Sequence, residues 1–177
     1  MILQFTGLSG AGKTSIAEKL KQLLESKGIA VEVIDGDKYR QTICKGLGFS
    51  KEDRCENIRR LGKVAHSFSE QRVIAIISAI NPYEEVRREL RRLYDAKTIW
   101  INCDMDVLMA RDTKGLYKRA LLPDGHPDKI YNLTGVNDAY EMPVDADLVI
   151  NTAQESLEES VNKVFGFVFD KSGIKNA

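Results

Sequence analysis

Apolar residues recur along this chain in two rhythms that alternate almost from end to end. Short, nearly continuous apolar runs at residues 2–5, 30–34, 72–80, 97–102 and 147–150 read as strands buried on both faces of a parallel sheet. Between them, helical spacing places Ile16, Ala17, Leu20, Leu23 and Leu24 on one stripe, and Ile58, Leu61, Val64, Ala65 and Phe68 on a second. Val86, Leu90 and Leu93 form a third, a helix opens at Asp104 and reaches Arg111, and Leu157, Val161, Val164, Phe165 and Val168 mark a last helix. Gly28 suits the end of the first helix, Ser50 with Asp53 the start of the second, and Thr152 with Glu155 has the form of a capping box for the last. Strands alternating with helices predict a three-layer α/β domain around a mainly parallel five-stranded sheet, spanning residues 1–177. Residues 113–143 break the pattern with Gly, Pro, Lys, Asp and Tyr. A connection that long inside one domain predicts a lid.

Composition narrows the partners. Lysine plus arginine equals aspartate plus glutamate at 26 each, which argues against a nucleic-acid footprint covering a whole face. Cys44, Cys55 and Cys103 lie far apart without a CxxC pair, as expected of reduced thiols serving in packing rather than of disulfides or a zinc site. No secretory signal is visible, and the longest apolar run, 73–80, is too short for a bilayer. The expectation is a cytoplasmic protein acting on small molecules, with neither nucleic acid nor membrane as partner.

The chemistry gathers at one stretch. Gly7, Leu8, Ser9, Gly10, Ala11, Gly12, Lys13 and Thr14 follow the first strand and open the first helix, which is the full P-loop pattern. Backbone N–H groups would converge on the phosphates of ATP, Lys13 would reach the outer phosphates, and Thr14 would offer its hydroxyl to Mg2+. Ligands of such sheets bind beyond the carboxyl ends of the strands, where Asp35 and Asp37 follow the second and Asn81 the third. Asp37 is the candidate base for an acceptor hydroxyl, with Asp35 assisting through water or the metal. Asp35-Gly36-Asp37 is also ordinary turn chemistry. Cations for an anionic substrate could come from Arg40, Arg54, Arg59 or Arg60, and from Arg111, Lys114, Lys118 and Arg119 at the lid. The arginines of 84–94 read as a solvated helix face. His66 and His126 have no spacing that would make them ligands or catalysts.

Six stretches together resemble the adenylylsulfate kinase family: residues 5–14, Asp35-Gly36-Asp37 with Arg40, residues 47–60, Asn81-Pro82-Tyr83, residues 111–120 and residues 133–143. The resemblance runs to about Thr152. It implies a P-loop kinase fold and transfer of phosphate from ATP to the 3′-hydroxyl of adenosine 5′-phosphosulfate. It makes Asp37 the catalytic aspartate, with Lys13 and Asp35 beside it, and places Arg111 near the base of ATP. Arg40, Phe49, Arg54, Asn57, Ile80, Asn81, Lys114 and Leu133 fall to the acceptor. It also allows a homodimer, and a separate sulfate adenylyltransferase as partner, since no sulfurylase-like extension is seen. The chain departs from the family pattern at Lys38 for Asn, Asn81 for Ser and Leu133 for Phe, and its segment 121–131 is longer. These changes surround the acceptor and leave two alternatives: a sister kinase for another nucleotide-linked anion, such as a cytidine diphosphate derivative, or a nucleotide-binding switch without turnover.

Overall fold

The computed structural model describes residues 1–172, so the end of the expected domain, 173–177, lies outside the described residues. Strand β1 (Ile2–Thr6) leads into helix α1 (Lys13–Glu25), followed by β2 (Val31–Asp35), the one-turn α2 (Gly36–Tyr39) and α3 (Lys51–Glu70). Then come β3 (Ile74–Ser78), α4 (Glu84–Tyr94), β4 (Lys97–Asn102), α5 (Met105–Arg111), α6 (Leu116–Ala120), β5 (Leu148–Asn151) and α7 (Leu157–Ser172). The five strands pair in parallel in the order β2-β3-β1-β4-β5, so β1 sits at the centre.

Alternate residues of β1, β2 and β3 feed two separate cores, and β4 and β5 add to the first of them. Leu3, Phe5, Ile76, Ile99 and Ile150 pack with Ile16, Leu20 and Leu24 of α1 and Val161, Val164 and Val168 of α7. Ile2, Ile34, Ala75 and Ile77 pack on the other face with Ile58, Leu61 and Ala65 of α3 and Val86 and Leu90 of α4. The period-2 pleat therefore turns each continuous apolar run into two facings, which is why the runs read as strands buried on both sides. The α3–α4 contact is close: a Cβ built on Gly62 would lie 2.9 Å from Leu90 Cγ.

Several expectations are corrected. The third strand is shorter than 72–80, because Arg72 takes φ 62 in the preceding turn and Ile80 follows the last ladder pair. Leu93 and Leu157 are exposed, lying off the stripes that α4 and α7 bury. The cap of α7 is Ser156, whose Oγ accepts from Glu159 N–H while Glu159 Oε2 accepts from Ser156 N–H. Thr152 serves the P-loop instead, donating to the Ala11 carbonyl at 3.0 Å. Arg87 of α4 is wholly buried, although Arg88 beside it is solvated as expected. The lid is not structureless either: it contains α6, and Tyr117, Ala120, Leu133 and Thr134 are buried.

Candidate active site

The P-loop curls because its glycines permit it. At Gly7 φ is +154, and a Cβ there would fall 2.3 Å from the Ile101 carbonyl oxygen, so no other residue fits against β4. Gly12, at φ 98, caps α1 without a side chain, and the first turn of this 13-residue helix, whose N–H groups need partners, lines the cavity with Gly12, Lys13, Thr14 and Ser15. Lys13 Nζ donates to the carbonyls of Gly7 and Leu8, both at 2.8 Å. Its burial lowers the ammonium from 10.5 to about 8, with Asp37 opposing, Lys114 adding to the fall and Asp35 opposing.

Thr14 Oγ1 donates to Asp35 Oδ2 at 3.2 Å and lies 3.4 Å from Ser78 Oγ. The sheet register explains the third member: Asp35 and Ser78 are ladder partners at the carboxyl ends of β2 and β3. Three hard oxygens converge, the donor set that magnesium prefers. Among the described residues, no group of three or more His, Cys, Asp or Glu could hold a metal ion by itself. Asp35 also caps α2, with Oδ1 accepting from the N–H of Asp37 at 2.9 Å and of Lys38 at 3.1 Å. The two oxygens of this aspartate are thus divided, Oδ1 serving the turn and Oδ2 meeting the P-loop threonine. The cap orients Asp37, whose Oδ2 pairs with Lys114 Nζ across the cavity at 2.8 Å.

A cavity of about 580 Å³ joins these groups. Lys13, Thr14, Asp35 and Asp37 line it, together with Phe49, Arg54, Ile80, Lys114 and Leu133. An adjoining cavity of about 170 Å³ is lined by Arg40, Phe49, Arg54, Asn57, Ile80 and Asn81, among others. Phe49, about half exposed, stands under two guanidiniums, Arg40 at 4.7 Å and Arg54 at 5.4 Å from its ring centre. Burial, then the charge of Arg54, lowers the pKa of Arg40. Arg54 is fixed by Asp138 at 2.8 Å, the Asn132 carbonyl at 2.7 Å and the Phe49 carbonyl at 3.0 Å. Asn57 is buried with its Oδ1 unpartnered.

Some expected members stand elsewhere. The amide of Asn81 turns into the protein and donates to Gln4 Oε1 at 3.1 Å, and this buried residue borders only the smaller of the two cavities. Arg111 does not line the main cavity; it flanks the P-loop, donating to the Thr152 carbonyl at 2.8 Å. Arg59 pairs with Glu89 and Arg60 with Glu56, and neither lines the two cavities. Lys118 and Arg119 are likewise outside them. The sequence reading missed Ser78 and Tyr117. The Tyr117 hydroxyl donates to the Ser9 carbonyl at 2.8 Å, tying the lid to the P-loop, and burial raises it to about 12. A small polar residue inside the apolar run 73–80 was the available signal for Ser78. Nothing local marked Tyr117.

With this geometry in view, the comparison with known proteins is direct. The family model described as adenylylsulphate kinase matches residues 1–151. The chain belongs to the adenylylsulphate kinase family. It is 47% identical over 161 residues to an adenylyl-sulfate kinase of Picosynechococcus sp., covering 90% of this chain and 88% of that protein. It is 43% identical to a protein of Sorangium cellulosum named probable bifunctional SAT/APS kinase 2, covering 92% of this chain and 27% of that protein. The solved APS kinase of Mycobacterium tuberculosis in complex with AMPPNP and APS superposes with a TM-score of 0.86 at 32% identity, over 94% of this chain and 96% of that one. As a family member the chain has the P-loop kinase sheet anticipated above as mainly parallel, with all five strands parallel. Among the described residues no helix is long and apolar enough to cross a membrane.

Proposed function

We propose that this chain transfers the γ-phosphoryl group of ATP to the 3′-hydroxyl of adenosine 5′-phosphosulfate, giving ADP and the 3′-phosphorylated product. One observation carries the reading: the anion cradle of the P-loop and the Asp37 carboxylate line the same cavity as an arginine-flanked aromatic ring. The relatives named above support the choice of donor and acceptor.

In this mechanism the P-loop amides and Lys13 hold the triphosphate. Phe49 stacks on the acceptor purine, and Arg40 and Arg54 pair with its phosphate and sulfate oxygens. Asp37 aims the sugar hydroxyl and takes its proton as the oxygen bonds to the γ-phosphorus and the bond to the β-γ bridging oxygen breaks. Lys114, at 2.8 Å from Asp37, exchanges that carboxylate for phosphate oxygens when the substrates enter. Thr14, Asp35 and Ser78 would hold magnesium, which when bound supplies charge neutralisation at the β- and γ-phosphates. Arg111, beside the P-loop, would meet the donor base from outside the main cavity. An enzyme that makes adenosine 5′-phosphosulfate would supply the acceptor, a coupling supported by the relative named as a bifunctional SAT/APS kinase. The three cysteines are free and buried, which fits a reducing compartment, so we place the reaction in the cytoplasm.

The test is ADP release measured with ATP, magnesium and adenosine 5′-phosphosulfate. The wild-type chain is expected to turn over, and Asp37→Ala to lose roughly 10²–10⁴-fold in kcat while ATP binding changes little. No turnover with this acceptor, but turnover with a cytidine diphosphate derivative, would transfer the reading to the sister kinase. Unchanged kcat in Asp37→Ala would remove Asp37 as the base.

A further inference from the structure

The lid rejoins the body of the protein at Tyr140 and Glu141, and the buried Arg87 meets it there. This side chain is only 1% exposed and is one of the largest fully buried groups in the molecule. Its Nε and Nη2 donate to Glu84 Oε2 at 3.0 and 2.7 Å. Nη1 donates to the Asn81 carbonyl at 2.8 Å, and Nη2 also donates to the Glu141 carbonyl at 2.6 Å. One guanidinium thus joins the loop after β3 to the far end of the lid.

The surrounding contacts make this junction a fixed point. Glu141 N–H donates to the Pro82 carbonyl at 2.9 Å, and Glu141 Oε2 accepts from Glu84 N–H at 2.7 Å. The Tyr140 hydroxyl pairs with Thr6 Oγ1 at 3.0 Å, and Thr6 Oγ1 lies 3.0 Å from the carbonyls of both Ile80 and Asn81. Asn81 itself adopts φ 48, a left-handed conformation that its surroundings must hold. On the lid side, Leu133 accepts N–H bonds from Val136, Asn137 and Asp138, forming a compact turn directly before Tyr140. Ile80 and Leu133 face the same cavity from these two segments.

We infer that Arg87 is a positioning residue for the acceptor, setting the gap between the cavity floor at Ile80–Asn81 and the lid wall at Leu133. The identity of the acceptor in this inference rests on the reaction proposed above; the clasp itself does not. If the site needed only packing, an aliphatic side chain would serve without a buried charge that Glu84 must offset. What an aliphatic group or a lysine cannot do is present several donors in one plane to a carboxylate and two carbonyls. The P-loop keeps its own tie to the lid, Tyr117 to Ser9, and meets the clasp segment through Gly7 N–H, which donates to the Ile80 carbonyl at 3.2 Å. Loss of Arg87 should therefore fall chiefly on the acceptor, with a much smaller effect on ATP.

The experiment compares Arg87→Met and Arg87→Lys with wild type in steady-state kinetics, and by amide hydrogen exchange without added nucleotide. Arg87→Met is expected to raise KM for adenosine 5′-phosphosulfate at least tenfold with KM for ATP within twofold. Exchange should quicken in residues 80–84 and 133–141 and stay unchanged in 13–25, with Arg87→Lys between the two. If both KM values rise together, if neither moves, or if exchange in 133–141 is unchanged, the inference is overturned. Should Arg87→Met fail to fold, Arg87→Lys and Tyr140→Phe, which removes the hydroxyl's bonds to Thr6 and Trp100, must show the same selective rise in smaller measure. Absence of wild-type turnover would sink the reaction reading alone, since the exchange pattern still decides the clasp.

Discussion

In the P-loop, Lys13 donates twice to carbonyls of its own loop, and burial brings its ammonium from 10.5 down to about 8. Between those two values the unfolded chain binds the proton more tightly than the folded one. Lys13 alone therefore makes stability rise with pH from about 8 to 10.5. A bound triphosphate favours the charged amine, so nucleotide binding above pH 8 should take up a fraction of a proton and weaken as pH rises. Calorimetry at pH 8.5 in two buffers of different ionisation enthalpy reads this uptake; equal heats in both would show that the amine is not depressed. Lys13 and Thr14 were legible because a motif fixes both their chemistry and their place. Asp35 and Asp37 were legible from their position at a strand end. Ser78 and Arg87 were not, because their partners lie far away in sequence: Ser78 meets Asp35 and Thr14, and Arg87 reaches Glu141.

Elements show the same division at their ends. Every helix with a strong apolar stripe was anticipated, since spacing alone reports it. The start of α7 was misplaced by four residues because two capping boxes, Thr152 with Glu155 and Ser156 with Glu159, stand in tandem. Only the second caps the helix, as the first lies where β5 ends and its threonine is drawn to Ala11. Ser156→Ala should thus lower stability by about 1 kcal/mol. That is roughly 2–4 °C in Tm by thermal melting, a measurement in which no change would mean that the box contributes nothing. The α3–α4 contact carries the opposite sensitivity. Gly62→Ala puts a methyl group 2.9 Å from Leu90 Cγ, and overpacking of this kind costs about 1–3 kcal/mol despite the better helix propensity of alanine. A raised Tm in that variant would mean that Leu90 moves aside freely.

At the scale of the molecule, the site is assembled from the β2-β3-β1 side of the sheet and from the lid. The P-loop follows the central β1, Asp35 and Asp37 follow the edge strand β2, and Lys114 and Leu133 come from the segment between β4 and β5. A ligand filling the cavity bridges all three. ATP at about 100 times its Kd should add about 2.7 kcal/mol, roughly 5–10 °C in Tm. Adenosine 5′-phosphosulfate should produce a further rise and cytidine diphosphate should not; a thermal-shift panel showing the reverse order would favour the other acceptor. The sequence by itself determined the alternation of strand and helix, the parallel sheet, the P-loop and the candidate base, because periodicity and motif are local properties of a chain. Only tertiary structure decided the strand order, the pairing of Asp37 with Lys114, the inward turn of Asn81 and the burial of Arg87. Each of those depends on which distant backbone arrives beside a side chain, and that is set by packing of the whole sheet and its lid.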